Sequence, residues 1–242
     1  LFHWMPVLLI FLVAALTMRQ WSEEQRSGTL EVLFTLPVTK AQLALGKFLA
    51  VMALVALSLL LTLFLPITVS LLGDLDWGPV VGGYLASLLL AGAYAALGLL
   101  ISSRTDNQIV SLILTVLGCG VLYLVGSAGI TSLAGETLAG ILRAIGSGSR
   151  FESIERGVID LRDLLYYLSL TGIFLALNVL SLDSKRWGAG GSARSRRRGQ
   201  TVTAALLVLN LIVCNVWLYP LQGLRLDLTE QREYSLSRTT KD

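Results

Sequence analysis

The sequence predicts an all-α, polytopic membrane protein with about six transmembrane helices and short helices at both membrane faces. Of its 242 residues, 54% are apolar and 14% are charged, whereas an average soluble domain has roughly 25% charged residues. Because so few charges could not cover the surface of a globule, an ordinary soluble protein is excluded. The apolar residues are also gathered in runs of about 20, the length at which a helix crosses a bilayer.

Six runs are predicted to span the membrane: residues 1–18, 43–72, 80–101, 109–127, 164–182 and 202–219. The second run is long and contains Pro66, which predicts a kink or an interfacial extension. No acidic residue lies in the middle of a run, so a proton-relay carrier is disfavoured.

The charges orient these spans. One set of connections holds 11 of the 19 Lys and Arg residues and five of the 16 Asp and Glu residues. The basic residues are Arg19, Arg26, Lys40, Lys47, Arg104, Lys185, Arg186, Arg194, Arg196, Arg197 and Arg198, and the acidic ones are Glu23, Glu24, Glu31, Asp106 and Asp183. By the positive-inside rule this set is cytoplasmic, so the first span runs inward and the chain after Tyr219 lies outside.

Residue types that carry chemistry are scarce. Cys119 and Cys214 both lie in apolar runs, which does not indicate a disulfide framework, and His3 has no metal-binding pattern around it. Gly46-Lys47 is followed by Phe48 instead of Ser or Thr, so a phosphate-binding loop is missing. The net charge of +3 does not indicate a nucleic-acid partner. If the protein uses ATP, another chain hydrolyses it.

The cytoplasmic stretch between the first two spans has the pattern WSEEQRSGTLEVLFTLPVTKAQLALGK, residues 21–47. Ser22 and Gln25 have capping-box spacing, which predicts a helix start; Gly28 predicts a bend, and Pro37 a stop. The predicted apolar stripe is Leu30, Leu33 and Phe34, and the predicted exposed residues are Arg26, Thr29 and Glu31. Two interpretations remain open: an ordinary interfacial helix, or a coupling helix that sits in a groove of a cytoplasmic motor.

Several motifs resemble those of ABC-2 type transporter permeases. The first is Glu23-Glu24-x-x-x-Gly28-Thr29-x-Glu31-x-Leu33-x-x-x-Pro37, followed by Gly46-Lys47. Residues 103–110 (SRTDNQIV) and 151–187, which include FESIERGVIDLRDLLYYLS and the closing SKRW, resemble the gliding-motility-associated (GldF-type) subfamily. The resemblance implies a permease domain over residues 1–187 that lacks the family's usual first span, in a bacterial inner (plasma) membrane.

Residues 201–242 resemble a second component of the same system. A predicted span is followed by RLDLTE at residues 225–230 and YSLS at 234–237, similar to the start of the GldG-type auxiliary subunit. Residues 188–200 would then be a basic Gly/Ser/Arg linker at the join of two fused proteins. The basic run of this linker could contact anionic lipid or an acidic partner, or simply keep the loop inside.

The resemblance also implies site residues and partners. The implied ATPase-coupling residues are Glu23, Glu24, Arg26, Gly28, Thr29, Glu31, Leu33, Pro37, Arg104 and Asp106. No cofactor is expected on this chain, since ATP and Mg would be held by partner ABC ATPase subunits. The other expected partners are a second copy or a second permease half, a GldG-like auxiliary domain, and membrane lipids.

Residues 127–162 are predicted to form two short helices in the outer interface. Leu138, Ile141, Leu142 and Ile145 would form one stripe, and residues 146–149 (GSGS) would break it. Phe151, Ile154, Val158 and Leu161 would form a second stripe, opposite Glu152, Glu155, Asp160 and Arg162. An exit gate, a dock for the auxiliary domain and a membrane-surface cap are all compatible with this pattern.

The sequence leaves two functions open and disfavours a third. The chain could be a permease that exports or extracts a substrate, or a membrane anchor that transmits ATPase-driven mechanical or regulatory signals to an external domain without moving a solute. An intramembrane enzyme is disfavoured because the sequence has no catalytic set.

Overall fold

The computed structural model describes residues 2–132, 135, 139–140, 142, 146–185, 199, 202–210, 213 and 225–227. The helices are α1 (Met5–Thr17), α2 (Ser22–Arg26), α3 (Thr29–Thr35), α4 (Lys40–Leu61), α5 (Phe64–Leu72), α6 (Trp77–Ser102), α7 (Gln108–Val125), α8 (Ala128–Thr131), α9 (Gly148–Glu155) and α10 (Leu161–Lys185). Residues 202–210 are also helical. Two short strands, β1 (Val158–Asp160) and β2 (Arg225–Asp227), pair antiparallel.

The predicted all-α membrane architecture is confirmed. Within the described residues, five helical segments are long and apolar enough to cross a membrane: Met5–Arg26, Lys40–Leu72, Trp77–Ser102, Gln108–Val125 and Leu161–Ser184. They correspond to the first five predicted spans. The sixth predicted span falls on residues of which only 202–210 and 213 are described, and nearly all of the predicted linker lies outside the described residues.

Helix α6 is the centre of the bundle, packed by α1, α4, α7, α9 and α10. Its small residues let these neighbours approach closely, as is usual between membrane helices. A methyl group at Gly98 would lie 2.2 Å from Thr17 Oγ1, and one at Gly83 would lie 2.4 Å from the Phe2 ring. Close packing on α6 therefore requires Gly98 opposite α1 and Gly83 opposite Phe2, which precedes α1.

The second span is interrupted near Pro66, where the sequence predicts a kink or an interfacial extension. Helix α4 ends at Leu61 and α5 begins at Phe64, so the break lies just before Pro66. Proline has no N–H to donate to the carbonyl of residue 62. That carbonyl accepts instead from the Leu65 amide at 3.0 Å, which closes the turn.

The ends of the spans meet at two opposite faces. At the α2–α3 face, Ser102 Oγ accepts from the Trp21 amide at 3.1 Å, Arg19 Nε donates to Gln108 Oε1 at 3.0 Å, and an ion pair joins α4 to α10. At the α9 face, the Phe2 and Tyr84 rings lie 5.1 Å apart and the Ser147 amide donates to Leu122 O at 2.9 Å. The five spans therefore alternate in direction, as the charge pattern requires.

Strand β2 extends this alternation beyond the fifth span. Helix α10 ends at Lys185 on the α2–α3 face, whereas Arg225–Asp227 pairs with Val158–Asp160 on the α9 face. The chain therefore changes face between residues 185 and 225. A sixth span at residues 202–219 would produce this change.

The second outer helix differs from its prediction. Helix α9 begins at Gly148, inside the predicted break, and ends at Glu155. Gly157, with φ 85°, turns the chain into β1, because a left-handed glycine ends a helix at little steric cost. Phe151 and Ile154 therefore lie on α9, but Val158 lies on a strand and Leu161 begins α10.

The polar side of that prediction is also wrong in part. The stripe pattern places Asp160 on the solvent side, but Asp160 is buried, because it belongs to the strand and its carboxylate accepts from the Arg162 amide at 3.1 Å. Of the first predicted outer stripe, only Leu142 lies among the described residues, where it is helical; the other three lie outside them.

Candidate functional site

The start of α2 is organised by one hydroxyl group on α6. Ser102 Oγ accepts hydrogen bonds from the Trp21 amide at 3.1 Å and the Ser22 amide at 3.2 Å, and lies 3.0 Å from Ser22 Oγ. Gln25 Nε2 donates to Ser102 O at 3.2 Å. The predicted Ser22–Gln25 capping box is therefore wrong: Trp21 is the N-cap residue and no side chain caps it, because both predicted partners bond to α6 instead.

A lysine ties α2 to the start of the second span. Lys47 Nζ lies 2.6 Å from Glu24 Oε1 and 4.4 Å from the centre of the Trp21 ring, and it also donates to Gln20 O. Glu24 and Lys47 are both partly buried. The Glu24 carboxylate, one of the implied ATPase-coupling residues, is thus held against α4 by an ion pair.

The bend between α2 and α3 is the one predicted at Gly28. Its φ of 75° is left-handed, and it is the N-cap residue of α3. The Ser27 and Thr29 hydroxyls lie 2.9 Å apart across it. Since L residues with a Cβ rarely adopt this conformation, the angle between α2 and α3 depends on this glycine.

The predicted apolar stripe of α3 packs against the bundle. Leu30 is buried, Leu33 and Phe34 are partly buried, and they join a cluster that contains Trp21, Leu99 and Leu182. Lys40 pairs with Asp183 and lies 5.3 Å from the centre of the Phe34 ring. Helix α3 ends at Thr35, two residues before Pro37, which confirms the predicted stop.

The opposite side of the segment is exposed. The exposed residues from the predicted site are Glu23, Arg26, Gly28, Thr29, Glu31 and Pro37, together with Arg104 and Asp106 on the neighbouring α6–α7 turn. Val32 and Leu36 are also exposed, at 62% and 50% of their surface. The exposed surface therefore contains both polar and apolar groups, and the opposite side of the segment packs against α4, α6 and α10.

The site predicted from the sequence does not include Trp21, Ser102 and Lys47, which hold this surface in place. Trp21 and Ser102 carry no recognisable signal, because their roles depend on contacts between α2 and α6. Lys47 has a signal, since Gly46-Lys47 closes the first motif. However, Lys47 and Glu24 are 23 positions apart along the chain, so the sequence does not predict their ion pair.

A second polar cluster lies at the α9 face. Arg150 Nη1 contacts Asp163 Oδ1 at 2.9 Å with both side chains buried, and its guanidinium lies 4.2 Å from the centre of the Tyr166 ring. Tyr167 Oη donates to Ser147 O at 2.8 Å. Burial raises the pKa of the Glu155 carboxyl, at the end of α9, above its usual value. The contacts of Arg150 and Tyr167 fasten α9 to the start of α10.

The described residues contain no group of three or more His, Cys, Asp or Glu side chains that could hold a metal ion. A family model described as "ABC-2 family transporter protein" matches residues 2–218. This match includes the predicted permease domain, the predicted linker and most of the last predicted span. No curated protein and no solved structure matches the chain.

Proposed function

The chain belongs to the ABC-2 family of transporter proteins, and we propose that it is a permease subunit whose α2–α3 segment couples ATP hydrolysis on a separate ATPase chain to export or extraction of a substrate. In this proposal the exposed side of the segment, with Glu31 at its centre, contacts the ATPase. The α6–α7 turn with Arg104 and Asp106 contributes to the same surface.

The observation that carries this proposal is the contrast between the two sides of the segment. Its inner side is joined to α4 by Lys47, to α6 by Ser102 and to α10 through the cluster around Leu30. Its outer side exposes Glu31 and Val32. A push on the exposed side would therefore reach three spans at once, which an isolated interfacial helix could not achieve.

The proposal extends to partners and location. ATP and Mg would be held by ABC ATPase subunits, and this chain would pair with a second copy or another permease half in a bacterial inner membrane. The same proposal includes a GldF-type specificity and, over residues 201–242, a transmembrane helix with the start of a GldG-type auxiliary domain, both based on the sequence motifs.

Reversing one exposed charge tests the coupling surface. We expect Glu31→Lys to leave the amount of inserted protein unchanged and to reduce both co-purification of the ATPase and stimulation of its activity. The matched control is Asp74→Lys, the same charge reversal at an exposed residue of the α9 face. Wild-type co-purification and stimulation by Glu31→Lys would show that the ATPase binds elsewhere.

A second candidate is favoured by the β1–β2 pair. The chain could act as a membrane anchor that transmits ATPase-driven movement to an external domain without moving a solute, because β2 attaches the segment after the last predicted span to the start of α10. Deletion of residues 225–227 should abolish complementation of a strain lacking the chain if the protein is an anchor. Transport through the spans alone would survive that deletion.

A further inference from the structure

Strand β1 is a short, fixed edge at the α9 face. It follows the left-handed Gly157 and is continuous with α10, which begins at Leu161 immediately after Asp160. Behind it, a methyl group at Gly82 would lie 2.4 Å from Ile154 O and 3.1 Å from Gly157 Cα. The backbone around β1 is therefore seated directly on α6.

The C-terminal end of β1 is held as well. The Asp160 carboxylate accepts from the Arg162 amide at 3.1 Å, and the Arg150–Asp163 pair joins α9 to the first turn of α10. A strand that is fixed in this way presents the backbone N–H and C=O groups of alternate residues at each of its edges, and these groups require partners. Strand addition to such an edge supplies affinity through backbone hydrogen bonds and depends little on side chains.

We propose that β1 is a strand-accepting site, occupied by residues 225–227, and that this backbone ladder is how the spans recognise the module that follows the last predicted span. The register is Val158 with Asp227, Ile159 with Leu226 and Asp160 with Arg225. The recognition needs no covalent continuity through residues 188–200. This inference rests on the auxiliary module proposed above but not on the ATPase contact, which concerns the opposite face.

A disulfide in the full-length chain tests the register. Cys119 and Cys214 are replaced by Ala, a protease site is inserted in residues 188–200, and Val158→Cys is combined with Asp227→Cys. After oxidation and cleavage, the two fragments should migrate as one species without reductant and separate with reductant. The control pair is Val158→Cys with Leu226→Cys, because successive strand side chains point to opposite faces, and it should cross-link at least several-fold less.

Two proline variants test the ladder itself in the Val158→Cys, Asp227→Cys background. In an antiparallel pair, alternate residues direct their backbone groups towards the partner strand. One of Arg225→Pro and Leu226→Pro must therefore remove a ladder donor, and the other serves as its matched control. We expect a several-fold loss of cross-link in one variant and a smaller change in the other.

The outcomes are distinct. Equal cross-linking of the register pair and the control pair, or no effect of either proline, would overturn the strand-accepting site. Normal ATPase stimulation combined with a lost cross-link would overturn this inference alone, whereas a failed Glu31→Lys experiment with a normal cross-link would overturn only the ATPase proposal. If the cleaved fragments stay together in detergent after reduction and separate in the disruptive proline variant, the ladder also holds the two parts without covalent continuity.

Discussion

Ser102 shows how much one hydroxyl can organise at the residue scale. It accepts from two backbone amides at the start of α2 and donates to Met18 O at 3.2 Å. The first amides of a helix have no partner inside it, and here the bundle supplies one. The orientation of α2 is therefore set by α6.

Removal of this hydroxyl should destabilise the α2–α3 face. We expect Ser102→Ala to cost about 1–3 kcal/mol, because two buried amides lose their acceptor, and to lower the thermal unfolding midpoint in detergent. The control is Ser58→Ala, whose hydroxyl bonds to Leu54 O one turn earlier in its own helix and should change stability by less than about 0.5 kcal/mol. Equal shifts of the unfolding midpoint in the two variants would show that Ser102 does not have this role.

At the scale of elements, the α2–α3 segment is predictable where local rules decide. Gly28, the Leu30 stripe and the stop before Pro37 follow from glycine conformation, helical periodicity and proline chemistry. The helix start near Ser22 also follows from the sequence, but the predicted capping box does not form, because a competing hydroxyl from α6 lies 80 positions away along the chain. Rules that consider only neighbouring residues in the sequence do not include a competitor from another helix.

The outer segment departs from its prediction for a similar reason. Val158 follows Ile154 at helical spacing, so the sequence pattern favours continuation of α9. Gly157 interrupts it, and β1 then pairs with residues 225–227. A three-residue strand whose partner lies beyond another predicted span has no periodicity of its own, so its existence depends on tertiary pairing.

The bend at Gly28 should be sensitive to a side chain, although no neighbouring atom lies within 4 Å of the place that an added methyl group would occupy. We expect Gly28→Ala to strain the left-handed backbone by about 1–2 kcal/mol and to reduce ATPase stimulation at normal insertion. Asn tolerates this conformation, so Gly28→Asn should retain most of the stimulation. The control is Gly46→Ala, where an added methyl group would also have no atom within 4 Å, and it should stimulate the ATPase like the wild type. Equal ATPase stimulation by Gly28→Ala and Gly28→Asn would contradict the role of the bend.

At the scale of the molecule, α10 connects the two candidate surfaces. Its end carries Asp183, which pairs with Lys40 beside α3, and its start carries Asp163, which pairs with Arg150 beside β1. A displacement of the α2–α3 segment can therefore reach the outer strand pair through one continuous helix. This geometry is compatible with both proposed functions, since either a gate or an external domain could receive the movement.

The two faces should also differ in their access to reagents from outside the cell. Because 11 of the 19 Lys and Arg residues belong to connections assigned to the cytoplasm, the α2–α3 face should be inside. Cysteine in place of Ser27, exposed on that face, should be protected from an impermeant thiol reagent in intact cells and react after lysis. Cysteine in place of Asp74, exposed on the α9 face, should react in intact cells. If a sixth span separates residues 195 and 237, Ser195→Cys should be protected like Ser27→Cys, and Ser237→Cys should react like Asp74→Cys. Labelling of Ser27→Cys in intact cells would mean that every span has the opposite orientation and that the proposed ATPase surface lies outside.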